Sequence, residues 1–238
     1  MATVTNAPTT IDEAIARMRQ IGADLDPSDG VGCFNRMYLK VTELVKRNVT
    51  EGTFQDSAFL ERMDVIFAGM YLRNVDAALA GRPVDAAWAP LFRARGNHVI
   101  WPVQFAFAGM NAHINHDLAV AVVETCTERR TTPGTPPVHQ DYEKVNELLG
   151  SVEAEVRAEF EIQIVKVATQ DAETLKHAVS KFSMAAAREA AWNTAQVLWR
   201  EKNGINPMAY SGHEIALGEA VGVVGESILL PVVPPPPA

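Results

Sequence analysis

WPVQFAFAGMNAHINHDLAVAVVET, residues Trp101 to Thr125, is the stretch whose reading decides the fold. It is apolar enough for a buried helix, yet Gln104, Asn111, His113, Asn115, His116 and Asp117 sit in its middle. A polar group buried without a partner costs about 1–3 kcal/mol, so neighbouring elements have to satisfy this segment. At the helical repeat, His113, His116 and Asp117 share one face about 100° wide, and Gln104, Asn111 and Asn115 fall on the opposite side. Ala106, Gly109 and Val120 keep the His/Asp face narrow enough for another helix to approach. The pattern predicts a central helix, Pro102 to Thr125, touched from both sides. A membrane span is excluded by the same residues, because six polar side chains in mid-span are very costly and no second span is visible.

The remaining segments read as the walls of this helix. Thr10 caps a helix over Ile11 to Ala23, with Ile11, Ile15, Met18 and Ile21 on one side. A second helix over Val31 to Val49 sets Phe34, Met37, Val41 and Leu44 inward. Asn35, Tyr38 and Thr42 form a polar line beside them, placed to face a pocket. On a third helix, Asp56 to Ala80, Asp64 lies inside an apolar stripe of Leu60, Phe67, Ala68, Tyr71 and Val75; a carboxylate there is expected to be paired, hydrogen-bonded or metal-bound. Pro83, Pro90 and Gly96 break the next stretch into a loop with one turn over Ala86 to Ala94, where Trp88 and Phe92 pack as a lid. After a connector at Thr131 to Pro137, helices follow over Asp141 to Gln170 and Ala172 to Lys202. The latter carries His177, Lys181, Met184, Arg188, Trp192 and Trp199 on one stripe, with Arg188 a buried cation between tryptophans. His213 to Leu230 reads as a short helix before a proline-rich tail.

No segment asks for a strand, so the expected fold is all-α: a single-domain bundle of about six main helices over residues 11–230. It is preceded by a disordered 1–10 and followed by an extended 231–238. A chain of 238 residues with 47% hydrophobic content can bury such a core without staples. Its net charge of -8 disfavours nucleic acid and anionic membranes and leaves a small molecule as the expected partner, with self-association open. The N-terminus lacks the pattern of a secretory signal, so the cytoplasm is the expected location, and Cys33 and Cys126 are expected to be reduced core residues.

Three roles compete for the His/Asp face. As ligands, His113, His116 and Asp117, with Asp64 from the neighbouring helix, suit Zn²⁺, Fe²⁺ or Mn²⁺ and an activated water, giving a metal-assisted hydrolase. Without metal, a histidine paired with Asp117 or Asp64 moves protons near neutral pH, as in a cyclase or isomerase for a hydrophobic metabolite. As scaffold, the histidines tie the bundle together, with Arg188 neutralising a carboxylate. In the enzymatic readings Arg188 or Tyr71 positions the substrate, and Tyr38, Asn35, Trp101, Trp192 and Asn111 line its pocket. A non-enzymatic interaction protein is the remaining alternative.

Ala108-Gly109-Met110-Asn111-Ala112-His113-Ile114-Asn115-His116-Asp117-Leu118, with the strings at Val31 to Tyr38 and Val65 to Leu72, resembles an uncharacterised bacterial domain-of-unknown-function family over most of residues 11–202. The resemblance implies that histidine is not required at position 116, and so puts the weight on His113, Asp117 and Asp64. The His113-x-x-x-Asp117 spacing is also similar to one ligand pair of the zinc-dependent phospholipase C and nuclease family. That family's N-terminal tryptophan ligand and further histidines have no counterparts here, so the likeness is an analogy.

Overall fold

A computed structural model describes residues 7–164, 183–204 and 207–231. The helices begin where the sequence supplies a cap. Thr10 accepts from the Glu13 amide ahead of α1 (Ile11–Asp24), and Asp29 accepts from the Val31 and Gly32 amides ahead of α2 (Gly30–Thr50). Asp56 accepts from the Phe59 amide ahead of α3 (Ser57–Leu79). A short α4 (Ala89–Ala94) follows, then the central element, α5 (Pro102–Ala112). It runs through one wide turn, His113–Leu118, into α6 (Ala119–Glu128). Beyond the connector lie α7 (Val138–Ile164), α8 (Met184–Lys202), capped by Ser183, and α9 (Pro207–Ile228). Among the described residues there is no strand, and the protein is an all-α bundle.

The central element is enclosed as its polar stripes require. α5 packs between α2 and α9, α6 between α3 and α8, and the wide turn against α8 and α3. One core runs through all of them, from Met18 and Phe34 to Val120, Tyr142, Trp192 and Val221. Two close approaches depend on missing side chains: a Cβ on Gly109 would stand 2.4 Å from the Phe34 ring, and one on Gly222 would stand 2.6 Å from the Ala86 carbonyl oxygen.

The α2 expectation is reversed in one respect. Asn35, Tyr38 and Thr42 are buried, whereas Met37, Val41 and Leu44 are half-exposed. The polar line turns inward because Asn35 finds partners there, donating to the Met18 carbonyl at 2.9 Å and accepting from the Tyr71 hydroxyl at 3.1 Å, while Thr42 is satisfied on its own helix by the Tyr38 carbonyl at 3.0 Å. Cys33 and Cys126 are buried free thiols, and burial pushes Cys126 up to about 12. No helix is long and apolar enough to cross a membrane among the described residues. His177, Lys181, the proline tail beyond residue 231 and the expected helical ranges 165–170 and 172–182 lie outside the described residues.

Candidate functional site

The wide turn is a π turn, whose hydrogen bonds reach one residue further back than an α-helix and so accommodate one extra residue. Its side chains converge on the Asp117 carboxylate, which is 1% exposed. His113 Nδ1 lies 3.0 Å from Oδ2, His116 Nδ1 lies 2.8 Å from Oδ1, and the Trp88 indole donates to Oδ2 at 2.9 Å. Since an ionised carboxylate only accepts, both histidines present Nδ1–H to it, and each in its neutral form carries its lone pair on Nε2. Burial alone would raise Asp117, but the hydrogen bonds from His113 and His116 outweigh it and hold the carboxyl below its ordinary value.

The two histidines then part company. His113 is fully enclosed: its ring stacks on Phe67 at 3.5 Å and 3°, meets Tyr38 edge-on at 4.3 Å, and has Phe34 and Trp88 around it. Its Nε2 is buried without a hydrogen-bond partner. Burial disfavours the imidazolium more than Asp117 supports it, so the pKa is lowered and the ring is neutral. His116 is partly open. Burial opposes its charge too, but the bond to Asp117 and the charges of Asp117, Asp85 and Glu214 prevail and raise its pKa.

His116 and Asp117 form the floor of a groove of about 480 Å³ between α3, the loop before α4, and α9. Arg73, Asp85, Glu124, Ser211, Glu214 and Glu219 contribute polar groups to its walls. Asp85 is fixed by Asn74, which donates to its carboxylate at 2.8 Å and accepts from its amide at 2.8 Å. Gly218 faces His116 across the groove; a Cβ built there would lie 3.5 Å from His116 Nε2. Nε2 therefore meets the groove with no side chain over it from that position.

The other expected site residues lie elsewhere. Asp64 is buried, with Oδ2 unpartnered; burial pushes it up to about 7 against the opposing pull of Arg188, and it is ion-paired with neither histidine. Arg188 lies over the Tyr142 ring at 4.3 Å, not between tryptophans, and donates to the Asn146 side chain at 2.5 Å and the Tyr142 carbonyl at 3.1 Å. Tyr71 donates to Asn35 at 3.1 Å, and Tyr38 is buried with its hydroxyl unpartnered. Trp101 and Trp192 are core residues. Asn111 donates to the Val221 carbonyl at 2.9 Å, and Gln104 to those of Ile228 and Leu230 at 2.7 and 2.8 Å, so this stripe fastens α9 to the central helix. None of Tyr38, Asn35, Tyr71, Trp101, Trp192, Asn111, Asp64 or Arg188 lines the groove.

The expected metal set does not gather either. Among the described residues, ligand atoms of His113, His116, Asp117 and Asp64 form no group of three within 4.8 Å of one another. The histidine nitrogens nearest Asp117 already hydrogen-bond to it, while their Nε2 atoms lead to different surroundings. These four residues in this arrangement do not fit one ion.

Trp88 is the site residue that sequence reasoning placed in another role. It does meet Phe92, at 6.3 Å, but its indole N–H is spent on Asp117. A signal existed, since a buried tryptophan needs an acceptor and Asp117 needs donors. The wall residues Arg73, Asp85 and Glu124 carried no such signal, being ordinary surface charges until α9 closes over them and brings Glu214 to the same groove.

The model of a family of unknown function, DUF5995, matches residues 11–231. No curated protein and no solved structure matches the chain.

Proposed function

The chain belongs to the DUF5995 family, whose description names no chemistry, and from the site itself we propose a metal-free acid–base enzyme acting on a small polar molecule. The reaction is of the isomerase or cyclase kind, with His116 as the proton-transferring group of this chain, a role that relatives without histidine at this position would not share. The observation that carries this reading is the His116–Asp117 pair at 2.8 Å beside the groove where Nε2 meets Gly218. Asp117 fixes the Nδ1–H tautomer, which leaves Nε2 basic toward a substrate. Nε2 takes a proton from one substrate atom, the imidazolium is stabilised by Asp117, and the same nitrogen returns the proton to a second atom. Trp88 and His113 hold the carboxylate so that it cannot turn away. Four wall carboxylates against one arginine favour a neutral or cationic substrate over an anionic one. Metal-assisted hydrolysis finds no gathered ligand set in the His/Asp cluster. A hydrophobic ligand lacks the expected lining, since Tyr38, Tyr71, Trp101 and Trp192 are buried away from the groove.

Untargeted metabolite profiling of a cell extract incubated with the protein or with His116→Gln tests this. The wild type is expected to convert a polar metabolite into an isomer of equal mass, with the variant slower by about 10²–10⁴-fold, the usual contribution of a positioned acid–base group. Conversion at equal rates by both proteins would refute the assignment.

A further inference from the structure

A second cluster, away from the groove, joins α7 to α8. His139 and Glu143 lie one turn apart on α7, Glu189 stands on α8, and one ligand atom from each falls within 4.8 Å of the other two. His139 Nε2 is buried and has no hydrogen-bond partner; the Glu143 carboxylate is 3.6 Å away, beyond hydrogen-bond reach. Two ligands on one tetrahedral zinc, each bonded at about 2.0–2.2 Å, stand roughly 3.4 Å apart, so this separation suits a shared ion better than a direct bond.

The cluster is also held in place. His139 stacks on Trp192 at 4.5 Å and 20°, which fixes the plane of its ring. Between the ligands, Tyr142 donates to the Arg188 carbonyl at 2.6 Å and Arg188 donates back to Tyr142 and Asn146, so the two helices are registered at this level. Among the described residues Glu189 accepts one hydrogen bond, from Asn193 at 3.4 Å, and both glutamates are exposed and free to swing inward.

We propose that His139, Glu143 and Glu189 bind one Zn²⁺ ion, with water as the fourth ligand, as a brace between α7 and α8. Imidazole with two carboxylates suits zinc and disfavours magnesium and calcium, which prefer oxygen alone. None of the three residues lines the groove, so the brace is independent of the proton chemistry proposed there.

Zinc titration of the untagged full chain, by calorimetry and by thermal denaturation, tests the site. The expected result is one zinc per chain and a raised Tm, with no effect of magnesium. His139→Ala and Glu189→Gln are each expected to weaken binding by on the order of 10–100-fold or more, and His113→Gln to leave it unchanged. Glu189 is exposed, so Glu189→Gln decides the matter if His139→Ala fails to fold. A wild type that takes up no zinc at micromolar concentrations, or zinc affinity unchanged in Glu189→Gln, overturns the proposal.

Discussion

His113 and His116 bond to the same carboxylate and are pushed in opposite directions, because one ring is walled by Phe67, Tyr38 and Phe34 and the other meets a groove lined with acids. A base on His116 works when neutral, and its pKa is raised, so kcat/KM is expected to rise with pH through an inflection above 6.5. Asp117→Asn removes the charge that opposes desolvation. The inflection then moves down and the rate falls by about 10²–10⁴-fold, as a pH–rate profile would show. Asp64 gives a separate expectation. Its folded pKa of about 7 lies above the ordinary 3.8, so the native state holds the proton more tightly than the unfolded chain, and stability falls as pH rises from about 4 to 7. A difference of that size corresponds to on the order of 4 kcal/mol, so urea denaturation should find Asp64→Asn free of most of that decline and more stable than wild type at pH 8. Equal pH slopes for the two proteins would contradict the assignment of Asp64.

At the scale of the element, α9 decides whether there is a groove at all. It closes on the loop before α4 at Gly222, where any Cβ would meet the Ala86 carbonyl oxygen at 2.6 Å. Gly222→Ala gains about 1 kcal/mol of helix propensity but loses about 1–3 kcal/mol to that overlap. Net destabilisation is expected in denaturation curves, with faster amide exchange confined to α9. Gly218→Val differs, because a Cβ at 218 is at ordinary contact distance from His116; the fold should survive while the valine covers Nε2 and conversion stops. Much of this level was legible beforehand. The cap at Thr10 and the 3.6-residue spacing place α1 to α3 within a residue or so of where they lie, although the caps supplied by Asp29 and Asp56 emerge only in the fold. The shared face of His113, His116 and Asp117 and the opposed Gln104, Asn111 and Asn115 also follow from the sequence. The π turn did not, since it departs from the very repeat on which a helical wheel depends. Nor did the inward α2 line, whose Asn35 finds its partners on α1 and α3. The pairing of Trp88 with Asp117 spans 29 residues, and local periodicity carries no information about it.

For the molecule as a whole, the all-α class was legible because every long apolar segment repeats at helical spacing, and the enclosure of one helix by the others follows from its two polar stripes. Which stripe meets an opening depends on where α9 lies, a property of the assembled bundle: its carbonyls occupy Gln104 and Asn111 on one side and leave His116 at the groove on the other. The π turn ties these facts together in a way that bears on what the sequence can tolerate. A helix gripped along both halves cannot rotate one half against the other. The extra residue at His113–Leu118 is absorbed inside the turn, so α5 stays registered to α2 and α9 while α6 stays registered to α3 and α8. Deleting Ile114 would close the turn to ordinary helix and leave both grips in place, but it would bring His113 and Asp117 one residue closer along the chain and undo their present spacing. The deletion is therefore expected to unfold cooperatively while conversion at the groove is lost, whereas Ile114→Ala at the same position should keep the site and cost about 2–5 kcal/mol, as core truncations do. Calorimetry and the conversion assay on the two variants separate a loss of the site from a loss of packing.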